Sequence, residues 1–189
     1  MTFDDSLQFE AASAEDVLLV SMARSGRREA FDEIDRRYRD RLCRYLHRHV
    51  GGMVLAEELA QQTLIRAFEV IDQLRFGDRI GAWLYRIAYR LMIDDARKKR
   101  RDVPLESDPV DTVRATVDSL IAEEAKNDIW RIARQTLSRD EYLAVELRYV
   151  ENFNIAEIAE IMARSRVSVR VLLHRARNRL LPNLEDFAQ

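Results

Sequence analysis

The sequence predicts an all-α protein: two small helical domains joined by a flexible acidic linker, the second containing a helix-turn-helix. Three observations carry this expectation. Five glycines and three prolines stand against 34% charged residues in a chain of 189, which favours helices with solvated faces over sheets joined by turns. Apolar residues recur at three- and four-residue spacing through long segments, the pattern of amphipathic helices. Residues 101–128, RDVPLESDPVDTVRATVDSLIAEEAKND, hold both interior prolines and eight acidic residues, a change of character typical of a domain boundary. No segment reads as a strand.

Four helices are expected before residue 102. The first, over 14–24, opens on Ser13 with Asp16 three residues later, a variant of the capping box. Gly26 ends it. The second, over 28–50, carries Phe31, Ile34, Tyr38, Leu42, Tyr45 and Leu46 on one stripe, and Gly51-Gly52 is the glycine signal for its C-terminus. The third, over 55–74, repeats the pattern through Leu59, Ala60, Thr63, Ala67, Phe68 and Ile71. A break at RFGDRIG leads to the fourth, over 82–100, whose core stripe is Leu84, Ile87, Ala88 and Leu91, with Tyr85, Tyr89 and Met92 as further packing residues. Beyond the linker, helices are expected over 117–136, 139–150, 155–163 and 167–181.

Bulk properties exclude several classes. The net charge of −2 conceals strong local asymmetry, so it says little about partners. A single cysteine, Cys43, rules out an internal disulfide and fits a reducing compartment. The longest apolar runs, such as VLLV at 17–20, are too short to span a bilayer. The acidic start MTFDDSLQFEAASAED lacks the order of a signal peptide, so a cytoplasmic location is expected. His47 and His49 lie two apart on a helix and point to different sides, which is poor metal-ligand spacing. Cys43 is expected to fill a flank of its helix, and no glycine-rich phosphate loop is present. No cofactor and no catalytic or metal residue is expected.

The strongest local signal is RSRVSVRVLLHRARNRL at 164–180: six arginines and a histidine, with no acidic residue from Ile161 to Leu184. A short helix, the turn ARSR and a basic helix form the layout of a helix-turn-helix, whose second helix enters the DNA major groove. On the wheel, Val169, Leu172, Leu173, Ala176 and Leu180 form the buried face. The opposite arc carries Val167, Val171, His174 and Asn178, flanked by Arg170 and Arg175. In a groove, an apolar side chain can meet a thymine methyl while arginine reads guanine or holds phosphate. A helix docking on a membrane surface or on a protein would also carry such charges.

Taken in order, EAFDEIDRRYRDRLCRYLHRHVG, AEELAQQTLIRAF and AWLYRIAYRLMIDDARKKRR resemble the first domain of extracytoplasmic-function (ECF, group 4) sigma factors of the sigma-70 family. LSRDEYLAVELRYVENFNIAEIAEIMARSRVSVRVLLHRAR is similar to their second domain. The resemblance covers residues 14–181. It implies a sigma region 2-like domain over 14–101, a linker over 102–116 and a region 4-like domain over 117–183. Implied partners are core RNA polymerase, gripped at the β′ clamp helices, promoter DNA, and an anti-sigma factor that can hold the chain at the membrane. No small-molecule substrate is implied.

The resemblance also distributes roles. Glu58, Gln61, Gln62 and Ile65 correspond to the polymerase-binding segment; an isoleucine amid polar neighbours suits an interface, although a solvated face with one stray isoleucine is common and, without the resemblance, the simpler reading. Phe76, Arg79, Trp83, Arg86, Arg90, Arg97 and Lys98 correspond to the −10 recognition and melting segment. There an aromatic ring can stack on bases while cations hold phosphates, although Trp83 could instead fill a core edge. Arg166, Val167, Ser168, Arg170, Val171, His174 and Arg175 correspond to the −35 reading helix.

The chain departs from the family at Glu58, Gln62 and Arg90, at Asn152-Phe153-Asn154 where Gly-x-Ser is usual, and at Ala163 and Val167 where glycine is common. An alanine in a left-handed turn costs roughly 1 kcal/mol, which predicts a different geometry for that turn. Two other functions fit parts of the pattern: an adaptor that mimics a sigma factor to occupy an anti-sigma protein, and a helix-turn-helix regulator with a helical sensing domain.

Overall fold

The computed structural model describes residues 14–74, 79–102 and 126–185, and every regular element among them is helical. The chain divides into two compact units, 1–117 and 118–189. Asp102, expected to begin the linker, is instead the last residue of the helix before it; residues 103–116 of the expected linker and the first residues of the helix expected from 117 lie outside the described residues, as does the Ser13 cap.

The first unit contains α1 (Ala14–Arg24), α2 (Arg28–His47), α3 (Met53–Glu69), a single 3-10 turn (Ile71–Gln73) and α4 (Ile80–Asp102). Ile34, Leu42, Tyr45 and Leu46 from α2 meet Leu59, Ala60 and Leu64 from α3 and Leu84, Tyr85, Ala88 and Met92 from α4 in a common core. The aromatic members add directional contacts: Tyr45 and Tyr85 stand 4.9 Å apart, and Phe31 meets Phe68 edge-on at 4.3 Å, a geometry set by the ring quadrupoles. Gly81 faces Tyr38 so closely that a Cβ there would come within 3.3 Å of its ring; the missing side chain lets α2 and α4 approach. At the other end of the unit, the Arg24 guanidinium donates to the carbonyl of Leu74, fixing the chain just before residues 75–78.

The glycine pair after α2 works differently from the sequence expectation. The helix ends three residues early, at His47, with Arg48 still right-handed. Gly52 is the residue with positive φ, at 142°, and it precedes α3 as its N-cap. Its freedom therefore sets the entry to α3, which starts two residues earlier than expected.

The second unit contains α5 (Lys126–Thr136), α6 (Arg139–Tyr149), α7 (Ile155–Ile161) and α8 (Arg166–Glu185). Two capping boxes start its helices: Ser138 with Glu141 on α6, and Asn154 with Glu157 on α7. In the second, the Asn154 side chain accepts from the Glu157 N–H at 3.0 Å and Glu157 accepts from the Asn154 N–H at 2.8 Å. Asn152 adopts φ 57°, a conformation asparagine tolerates. Asn152 and Asn154 thus perform locally what a glycine and a serine would: the first turns the chain and the second caps the helix.

The turn between α7 and α8 corrects one expectation. Ala163 keeps the left-handed conformation, with φ 51°, in place of a different turn. The Arg164 N–H donates to the Ala159 carbonyl at 2.8 Å and the Ala163 N–H to Glu160 at 3.3 Å, the paired bonds of a Schellman end. Ser165 then accepts from the Ser168 N–H at 3.1 Å and starts α8. The left-handed alanine is strained, so Ala163→Gly is expected to stabilise the second unit by about 0.5–1 kcal/mol, the relieved strain less the entropy glycine adds to the unfolded chain. Denaturant melting of the variant against the parent checks this; a loss of stability would contradict it.

Candidate polymerase and promoter interfaces

α8 separates its residues as the wheel requires. Val169, Leu173 and Ala176 are buried against α6 and α7, with Leu172 and Leu180 half-buried. On the opposite side Val167 is 66% exposed and Val171 41%. Arg166, Arg170, His174 and Arg175 are exposed beside them, and Ser168 is half-buried. His174 Nδ1 lies 3.5 Å from the Asn178 amide, one turn further along the same face. Two exposed valines within a cationic arc suit a surface that meets methyl groups and phosphates together. The helix continues past its expected end at 181 through Pro182 to Glu185.

On α3, Glu58, Gln61, Gln62 and Ile65 are all exposed, Ile65 at 49%. Sequence reasoning missed Val54, the most exposed large apolar residue on this helix at 71%. Val54, Glu58, Gln61 and Ile65 follow the i, i+4, i+7, i+11 spacing of one line along a helix. The spacing from Ile65 could have revealed Val54, but α3 was expected to begin one residue after it. An apolar residue at each end of a polar stripe makes a better docking surface than one isoleucine alone.

α4 divides the expected −10 residues. Arg90, Arg97 and Lys98 are exposed, Arg79 and Arg86 are half-buried, and Phe76 lies outside the described residues. Two nearby carboxylates temper the basic end: Asp94 is 3.8 Å from Arg97 and Asp95 is 3.0 Å from Lys99. Trp83 is only 4% exposed, which fits the alternative of a ring that fills a core edge better than one open to stacking on bases. Of the further residues expected to pack, Tyr85 and Met92 are buried and Tyr89 is half-buried.

Nothing in the first unit suggests covalent chemistry at its cysteine. Burial, with the charges of Glu57 and Asp40, pushes the Cys43 thiol up, away from the reactive thiolate. Cys43 Sγ lies 3.9 Å from Met53 Sδ, so it fills the seam between α2 and α3. His49 packs against the Tyr45 ring at 5.0 Å. Among the described residues no cluster of three or more His, Cys, Asp or Glu could hold a metal. No helix among them is long and apolar enough to cross a membrane.

A helical unit with an exposed stripe of mixed polar and apolar residues and a basic helix end, together with a helix-turn-helix unit, is the layout of a DNA-binding protein. Comparison with known proteins makes the class specific. Residues 34–102 match Sigma-70 region 2 and residues 133–180 match Sigma-70, region 4. The chain is 30% identical over 178 residues to the ECF RNA polymerase sigma factor SigW of Bacillus subtilis, covering 88% of this chain and 95% of that one. It is 29% identical over 185 residues to the ECF sigma factor BldN of Streptomyces coelicolor, covering 95% and 70%. Its fold is similar to that of the sigma factor RpoE from Bartonella quintana, solved in complex with the anti-sigma factor NepR, with a TM-score of 0.64, 24% identity, and coverage of 82% and 96%. The chain belongs to the ECF RNA polymerase sigma factors. It is a transcription-initiation factor of the sigma-70 family.

Proposed function

We propose that the chain joins core RNA polymerase through the exposed stripe of α3, engages the −10 element with α4, and reads the −35 element with α8. The outward face of α8 carries this reading, because two solvent-exposed valines flanked by arginines have a physical use in a DNA groove and little in bare solvent. Residues 14–101 act as the region 2-like domain, 102–116 as linker and 117–183 as the region 4-like domain. At −10, Arg79, Arg86, Arg90, Arg97 and Lys98 hold the backbone, and Phe76 helps to capture an unstacked base. Binding should weaken steeply as salt rises. The proposed role asks for no catalytic chemistry from the chain itself. It acts in the cytoplasm, and an anti-sigma factor, as for the RpoE relative, is proposed to hold it inactive, at the membrane where that partner is anchored there.

Transcription by purified core polymerase on a promoter library, with and without the chain, tests the whole reading. Promoter-specific transcripts that depend on the chain are expected; their absence together with a lack of core binding would refute it. Ile65→Arg tests the α3 assignment. Loss of an apolar residue that anchors an interface costs about 2 kcal/mol or more, so core affinity should fall by about tenfold or more while the melting curve stays that of the parent. Unchanged affinity in a fluorescence titration with core would remove Ile65 from the interface.

A further inference from the structure

Not every arginine around α8 belongs to the DNA face. Arg164, in the turn before α8, donates to Asp140, and Arg179, near the other end of α8, donates to Glu141 Oε2 at 3.0 Å. Asp140 and Glu141 are neighbours in the first turn of α6. Two adjacent carboxylates therefore hold cations that bracket the exposed face of Val167, Val171 and His174. The Glu141 carboxylate is buried and its Oε2 also accepts from the Ser138 N–H and hydroxyl, both at 2.9 Å. Three donors on one oxygen fix its rotamer, and Arg179 takes its position from it.

The need for such ties follows from the buried stripe. The fully buried stripe of Val169, Leu173 and Ala176 is narrow and two of its three side chains are short, so it resists rotation about the helix axis less than a broad stripe of large residues would. Base reading tolerates misplacement of only about 0.5 Å or 10–20°. A polar tie at each end opposes both rotation and sliding.

We propose that Asp140 and Glu141 are positioning residues for −35 recognition: they engage Arg164 and Arg179, withdraw them from phosphate binding, and set the pose of α8. The proposal rests on α8 being the −35 reading helix. Arg164 and Arg179 then contribute to sequence discrimination without contributing to the salt dependence of binding.

The test uses holoenzyme assembled from core polymerase and the full chain. Its DNA is a promoter recovered by library transcription, together with the same promoter carrying a scrambled −35 element. The ratio of affinities for the two is measured across salt concentrations. A misplaced reading helix should act like one mismatched base pair, so E141Q, R179A and D140N should each lower the ratio by about tenfold, with the salt slope unchanged. The double variant E141Q/R179A should be no worse than either single change, and the exchange D140R/R164E should regain the ratio that each of its single changes loses. A salt slope reduced by about one in R164A or R179A would mark them as phosphate contacts and overturn the proposal, as would an unchanged ratio in E141Q and D140N. D140N and the exchange lie outside the α6 capping box, so they remain decisive if E141Q melts early. V171E separates failure of the underlying reading, since Val171 is exposed on the outward face: if its ratio matches the parent, α8 does not read −35 at all.

Discussion

Replacing Trp83 with alanine is expected to destabilise the first unit by about 3–5 kcal/mol, the cost of emptying a large aromatic site in a packed core. The ring is buried on α4 beside Leu84 and Tyr85, so the lost contacts and the cavity both count. A ring that stacked on unpaired bases would behave in the opposite way. It would be exposed, its removal would hardly change stability, and the loss would appear as about 1–3 kcal/mol per stacked base in DNA binding. Denaturant unfolding of the variant distinguishes the two. Trp83→Phe sharpens the comparison, since phenylalanine restores most of the buried area. If the tryptophan only packs, Trp83→Phe should open the −10 region at nearly the parent rate once both are folded, as read by permanganate reactivity of unpaired thymines. Parent-like stability in Trp83→Ala with a selective opening defect would reverse the assignment.

The reason Trp83 was illegible in the sequence lies in how α4 packs. Trp83, Leu84, Tyr85, Ile87, Ala88 and Met92 are all buried, and they cover more than half the wheel because α4 lies against both α2 and α3. A single-stripe pattern reveals which side faces inward only when the buried residues keep to one arc. On α8 they do, since Val169, Leu173 and Ala176 share one although α5, α6 and α7 all pack against the helix, and its apolar stripe and exposed face were both readable. α6 is the extreme opposite case: residues 141–147 are buried in succession, Glu141 and Glu146 included. Periodicity says nothing about the orientation of such a helix, and the partners of its carboxylates emerge only in three dimensions.

Ala163 shows a different limit. Sequence reasoning weighed a strain of roughly 1 kcal/mol and expected the turn to avoid it. The turn is not free to do so, because Ala159, Ile161 and Met162 on one side and Val169 on the other are buried. Shifting the turn would unseat several of these side chains, each worth about 1.5–3 kcal/mol when large and fully buried. The packing outweighs the strain. The same reasoning explains why Asn152 and Asn154 preserve the entry to α7 despite their different identities.

The second large effect is expected at Val171. Val171→Glu adds a carboxylate to the arc of Arg170, His174 and Arg175 and aims it at a polyanion. Like-charge juxtaposition at an interface costs several kcal/mol, so −35-dependent affinity should fall by about a hundredfold or more. Because Val171 is exposed, the folded state loses little, and the melting curve should stay within about 0.5 kcal/mol of the parent. That combination separates a groove-facing residue from a packing one. A gentler pair of changes asks what the valine touches. Val171→Ala removes two methyl groups from the protein, and thymine→uracil removes one from the DNA, each affecting an apolar contact worth about 0.8 kcal/mol per buried methylene-sized group. If the two groups meet, one uracil-substituted position in the −35 element should weaken the parent holoenzyme severalfold and weaken Val171→Ala far less. Equal losses at every position would mean that Val171 meets no thymine methyl, and the same scan with Val167→Ala would then decide whether its neighbour on the face does. An arginine that only holds phosphate cannot substitute for such a contact, because it holds α8 on any sequence. Sequence discrimination on this face therefore draws on the residues that are least like a basic patch as well as on any arginine that reaches a base edge.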